Sequence, residues 1–183
     1  MNKWQPWEES SAWKTKASFY AWLRGQLRRS VWSHYPPKNE YKASMLRPAT
    51  KEDYAKGVSP RTKKVGQCYL CENWFPASKL QVDHLDQAGS LRNEDDITPF
   101  IKNLACMKSN MALTCKPCHD VKTLADKLGI TFEQALVEKK IIAQMKIPKN
   151  QQDKLLTELG MPCNNDRVRK ESWRKLIEKG DVN

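Results

Sequence analysis

Apolar side chains recur at helical spacing over residues 18–32, where Phe19, Trp22, Leu23, Leu27 and Val31 form one stripe. Pro36-Pro37 closes that segment, because a residue ahead of proline is pushed out of the helical region. A short helix is expected over 38–46, and Thr50 with Asp53 three residues on has the spacing of a helix cap. Residues 4–11 form a polar lead-in flecked with tryptophan, mobile until docked. GVSPRTKKVGQ, 57–67, is a basic connector punctuated by Gly and Pro.

Beyond Cys71 the period changes. Trp74-Phe75 before Pro76 predicts a short strand, and over 79–85 Leu80, Val82 and His84 alternate with Lys79, Gln81 and Asp83. Residues 86–109 make a long insert, acidic at Glu94, Asp95 and Asp96, then apolar at Phe100, Ile101 and Leu104. Residues 111–114 are short enough for a returning strand. A helix is expected over 119–128 with Gly129 as its stop. Thr131 and Gln134 predict a capping box for a helix reaching about residue 145 with Phe132, Leu136 and Ile142 inward. Helices follow over 149–159, ended by Gly160, and 165–178 with Trp173, Leu176 and Ile177. No internal repeat occurs. The pattern is α+β and mostly helical, in three regions: 1–66, 67–130 and 131–183.

The 183 residues suit one domain with appendages, and a hydrophobic fraction of 39% against 29% charged implies a modest core. No run of 18 apolar residues is present, and MNKWQPWEESS has no apolar leader segment, so a soluble, cytoplasmic protein with no membrane partner is expected. In that compartment six cysteines favour metal-bound thiolates over disulfides.

The net charge of +11 points to an anionic partner, and its distribution is uneven. Residues 1–66 hold 14 basic and 5 acidic side chains, 67–130 hold 7 and 8, and 131–183 hold 11 and 8. Arg24 and Arg28, four apart with Arg29 beside them, lie off the apolar stripe. They are a solvated face of an ordinary helix or a row of phosphate contacts, and the charge of their region favours phosphates. Arg61, Lys63 and Lys64 are either further backbone-phosphate contacts or part of a soluble linker.

Cys68 and Cys71 form one C-x2-C pair, and Cys115, Cys118 and His119 form a C-x2-C-H run. Two thiolate pairs suit a structural tetrahedral zinc, although the 43 residues between them exceed the roughly 15 to 20 of common zinc patterns. C-K-P-C-H is also a covalent haem pattern, which would require export. Cys106 and Cys163 stand outside the pairs and read as packed thiols. Joining the knuckles would draw the helix start towards the 79–85 strand. Asp83 and His84, adjacent on that strand, address opposite faces. A divalent ion on Asp83 and His119 would keep open positions for a phosphate oxygen, with His84 taking a proton from water.

Asp83-His84, then Asn110 five residues before Cys115, then C-x2-C-His119 and Lys122-Thr123, resemble the zinc-bearing branch of the HNH, or ββα-metal, endonucleases. The Leu-Arg repeats and the Trp before Tyr-Pro-Pro in 19–37, with AGSLR after the Asp-His, are similar to HNH proteins of tailed bacteriophages. The resemblance covers most of 18–130. It implies a small ββα-metal core with a four-Cys zinc knuckle pair, flanked by N- and C-terminal helices, and an endonuclease acting on DNA, taken as double-stranded, in a host cytoplasm. His84 would be the general base, Asp83 and His119 would hold Mg2+ or another divalent cation, and Asn110 would brace the hairpin loop. Cys68, Cys71, Cys115 and Cys118 would bind structural Zn2+, and Lys122 would join Arg24, Arg28, Arg29, Arg61, Lys63 and Lys64 on DNA. A homing or nicking enzyme and a helper in genome packaging both fit the resemblance. Two departures stand: 25 residues separate His84 from Asn110, and Asn103-Leu104 offers a competing Asn. A zinc-ribbon binding module without catalysis is the alternative. Oligomeric state is left open by the sequence.

Overall fold

In the computed structural model, which describes residues 4–181, Thr15 and Ser18 form a reciprocal capping box that starts α1, Lys16–Leu27. The helix runs into a π-helical turn, Arg28–Trp32, and breaks at Tyr35. Pro36 and Pro37 then open α2, Pro36–Ser44, at its first positions, where a missing N–H costs nothing. β1, Arg47–Pro48, is followed by α3, Lys51–Ala55, capped reciprocally by Thr50 and Asp53. β2, Lys64–Gln67, pairs antiparallel with β1 and with β3, Trp74–Pro76. β4, Leu80–His84, and β5, Met111–Cys115, form a second antiparallel sheet, with Leu80 opposite Cys115 and His84 opposite Met111. Between them lies α4, Ile97–Leu104. The described residues are thus mostly helical α+β with two small sheets.

Two compact units divide it, Met1–Lys116 and Pro117–Asn183. In the first, Val65, Leu80, Val82, Met111 and Leu113 are buried strand residues. A second cluster joins Phe19 and Tyr20 of α1 to Ala88, Leu91, Phe100 and Leu104 of the insert. The insert is therefore partly core. Its acidic start leads straight into an amphipathic helix that closes over α1.

The second unit contains α5, Lys116–Leu128, which begins at the last residue of the first, then α6, Phe132–Gln144, α7, Lys149–Glu158, and α8, Asp166–Lys179. Ile141, Leu156, Trp173, Leu176 and Ile177 form its main core. Gln152 is buried there with its needs met: it accepts from Trp173 Nε1 at 3.2 Å and donates to the Ile147 carbonyl at 2.6 Å.

Several expectations are corrected. Trp22 is exposed, and Tyr20 takes the buried place expected of it, because the turn of α1 facing the insert is the one carrying Phe19 and Tyr20. Leu136 and Ile142 are exposed; α6 turns Ala135, Glu138 and Ile141 inward, with Glu138 ion-paired to Lys170 and Arg174 of α8. The lead-in is seen docked: Pro6–Glu8 is a 3-10 turn, and Trp4 meets Phe19 edge-on at 5.8 Å. The end of the basic connector is strand β2. The helix expected at 119 starts three residues earlier, so Cys118 and His119 lie in its first turn.

Candidate metal centre

The first knuckle is the loop between β2 and β3. Cys68 N–H donates to the Asn73 carbonyl at 3.0 Å and Glu72 N–H returns to the Cys68 carbonyl at 2.9 Å, closing a tight turn. Glu72 takes the left-handed conformation, φ 57°, needed to reverse the chain there. Tyr69 N–H donates to the Leu113 carbonyl at 2.9 Å, tying this loop to β5. The second knuckle begins at Cys115, the last residue of β5, and Cys118 follows in α5.

The sulfurs of Cys68, Cys71, Cys115 and Cys118 all lie within 4.8 Å of one another. Four thiolates around a tetrahedral zinc at about 2.3 Å stand about 3.8 Å apart, so the set fits such an ion with small adjustments. Burial pushes the Cys68 thiol up. Hydrogen bonds from the backbone N–H groups of Cys115, Cys71 and Leu70 and from the Cys71 side chain outweigh it and bring the thiol down to about 6. One of these is directly visible, Cys115 N–H to Cys68 Sγ at 3.4 Å. The backbone is thus arranged to stabilise negative charge on that sulfur, the form that ligates metal. The 43-residue gap is absorbed by β3, β4, α4 and β5, which return the chain to its starting point. Cys106 and Cys163 stand outside the cluster.

On β4, Leu80, Val82 and His84 are buried while Gln81 and Asp83 are half-exposed, so Asp83 and His84 address opposite faces. His84 Nε2 is 3.0 Å from the Leu104 carbonyl oxygen. A carbonyl only accepts, so the ring proton sits on Nε2 and Nδ1 is the basic nitrogen. The Trp32 indole covers the imidazole, with ring centroids 4.0 Å apart and planes at 32°. Asn110 immediately precedes β5: its side-chain oxygen accepts from Asp86 N–H at 2.7 Å, its amide donates to the Asp86 carbonyl at 3.1 Å, and its own carbonyl accepts from Leu85 N–H at 3.0 Å. Asn103 is an exposed residue of α4. His119 is half-exposed with Asp120 at 3.9 Å.

Among the candidate cations, Arg24, Arg28 and Arg29 lie on or beside α1 and its π-helical turn and are exposed, as are Arg61, Lys63 and Lys64. The Arg28 guanidinium lies 6.0 Å from the Phe100 ring. Although Arg28 is exposed as a residue, desolvation of its guanidinium is the largest cause lowering its pKa, followed by Arg24, with Asp83 acting in the opposite sense. Lys122 is ion-paired with Asp126 at 3.5 Å. Trp32, in the π-helical turn, and Tyr35, at the break after it, belong to the Trp and Tyr-Pro-Pro stretch quoted for the resemblance, but no local pattern ties them or the Leu104 carbonyl to His84, since they are remote from Asp-His in sequence and a main-chain carbonyl has no residue signature.

No protein-family model, curated protein or solved structure matches this chain.

Proposed function

We propose that the chain is a metal-dependent DNA endonuclease of the HNH type, with a structural zinc on its four cysteines. The observation carrying this reading is the arrangement at the β4–β5 ends. A histidine has its tautomer held by a carbonyl, an aspartate is its strand neighbour on the other face, and Asn110 binds the loop between the strands through two side-chain hydrogen bonds. The four-thiol cluster lies at the far end of the same strand, where Cys115 faces Leu80.

In this reading His84 Nδ1 accepts a proton from water, the hydroxide oxygen bonds to phosphorus as the P–O3′ bond breaks, and the leaving 3′ oxygen takes a proton from solvent. Asn110 keeps the loop after β4 closed so that His84 is presented in one orientation. Asp83 and His119 supply a carboxylate oxygen and an imidazole nitrogen, both on half-exposed side chains, a donor set suited to a hard or borderline divalent ion with water ligands retained. Held there, a Mg2+-class ion would stabilise charge on the scissile phosphate and the leaving 3′ oxygen. Arg24, Arg28, Arg29, Arg61, Lys63, Lys64 and Lys122 are the proposed contacts to backbone phosphates.

Plasmid DNA incubated with the protein is expected to be nicked or linearised with Mg2+ or Mn2+, spared with EDTA, and spared by His84→Ala. Cleavage by His84→Ala equal to the parent's would sink the reading. The burial of His84 favours one second reading, a zinc-stabilised nucleic-acid-binding module in which this histidine is structural. It would show tight binding that weakens steeply with salt and no metal-dependent cutting.

A further inference from the structure

We propose that Trp32 and Tyr35 are positioning residues for His84, and that the π-helical turn at the end of α1 serves to place them. The inference rests on His84 being the general base. It starts from a backbone irregularity: Arg28–Trp32 is wound as a π-helix, a widened turn that recurs at functional sites. Leu27, Val31 and Trp32 stay packed against the cluster of α1 and the insert. The indole meanwhile lies over His84 at 4.0 Å between centroids. A stack at that distance and a tilt of 32° restricts rotation of the imidazole about its terminal torsion, which is otherwise broad.

The hydrogen bond decides which edge of the ring points where, and it depends on a carbonyl at a helix end. α4 stops at Leu104, and Ala105 leaves helical geometry with ψ 55°. The last carbonyls of a helix lack intrahelical partners. Here Leu104 O takes the His84 Nε2–H, while the Tyr35 hydroxyl lies 3.1 Å from both the Ala105 and Cys106 carbonyls and shares its single proton between them. Tyr35 thus pins the segment that carries the acceptor, and Trp32 pins the ring that donates to it. Both come from a four-residue stretch held at its far end by Pro36 and by Lys38, whose ammonium lies 5.2 Å over the Trp32 ring and donates to the Ser33 carbonyl at 3.1 Å. The long insert between His84 and Asn110 acquires a purpose as well, because it brings the Leu104 carbonyl to the base.

The test uses the full chain and two readouts. In 1H–15N spectra of the parent, the His84 Nε2-bound proton is expected as a resolved downfield signal protected from solvent exchange. Trp32→Ala and Tyr35→Phe should lose or broaden that signal, and Trp32→Phe, which keeps a stacking ring, should retain it. In plasmid cleavage, Trp32→Ala and Tyr35→Phe should lower kcat by about 10- to 100-fold with KM little changed, since misplacing a reacting group by an ångström costs on that order. Trp32→Phe should restore most of the rate. Should Trp32→Ala fail to fold, as circular dichroism would reveal, Tyr35→Phe decides alone. A folded Tyr35→Phe that keeps both the signal and kcat overturns the inference, and so does an effect confined to KM. If the parent does not cut DNA at all, the nuclease reading falls, and the protected proton then decides the positioning role by itself.

Discussion

A methyl group placed on Gly66 would lie 2.8 Å from Leu46, 2.9 Å from Leu80 and 3.0 Å from Leu113, inside contact distance of side chains from three different segments. Glycine is required at this point of β2 by close approach. Gly66→Ala is therefore expected to destabilise the protein by about 1 to 3 kcal/mol through overpacking, read as a lower urea midpoint with an unchanged slope. Asp53 illustrates a different residue-scale effect. It is buried, takes a two-pronged bond from Arg47 at 2.7 and 2.9 Å, and accepts from Thr50 N–H at 2.7 Å. The Arg47 guanidinium first, and the Thr50 backbone next, hold its carboxyl well below the usual range. A depressed native pKa contributes stability that is present above the unfolded value of about 3.9 and lost as pH falls below it. The stability gap between the parent and Asp53→Asn should thus be widest above about pH 4 and shrink on further acidification. A gap that grew with acid would contradict this assignment.

Elements are most legible where a local signal coincides with a real boundary. Thr131 with Gln134 forms the reciprocal cap that its spacing predicts, with bonds of 2.9 and 3.2 Å, and Thr50 with Asp53 does the same. Thr131→Ala should cost about 1 kcal/mol of stability, measurable by thermal or urea unfolding; a neutral result would mean that packing alone starts α6. Alternation over β4 likewise matches its burial, residue by residue. The face of α6 is where periodicity misleads. Apolarity favours Leu136 and Ile142, yet Glu138 is buried instead, because Lys170 and Arg174 arrive from α8 to satisfy it. β1 and β2, two and four residues long, are too short to show a period at all. The apolar residues of α4 stand out in the sequence, but the helix is only eight residues long and carries Pro99 in its first turn, so it shows little of a helical period.

For the whole molecule, the four-thiol cluster is the feature with the largest expected effect on stability. Structural zinc contributes on the order of 10 kcal/mol in small metal-dependent domains, and the zinc proposed above predicts one such ion per chain in purified protein, read by metal analysis. Chelation, or Cys115→Ser, should then abolish cooperative folding around the knuckles. Circular dichroism and melting of Cys115→Ser indistinguishable from the parent's would remove the structural role. The charge imbalance of +11 is of the kind that steers polyanions. Among the described residues, no helix is long and apolar enough to cross a membrane.

By itself the sequence determined the α+β character, most helices, the two cysteine pairs and the Asp83, His84, Asn110 and His119 candidates. Each is carried by spacing within a few residues: a helical or strand period, a cap three residues long, a two-residue gap that lets one turn present two thiols. Only the tertiary structure decided that cysteine pairs with 43 residues between them converge, that the insert packs as core, and that His84 is held by Leu104 and Trp32. These depend on contacts between distant segments and on main-chain carbonyls. Such contacts arise from packing and hydrogen-bond satisfaction over the folded chain, and no local pattern of side chains encodes them.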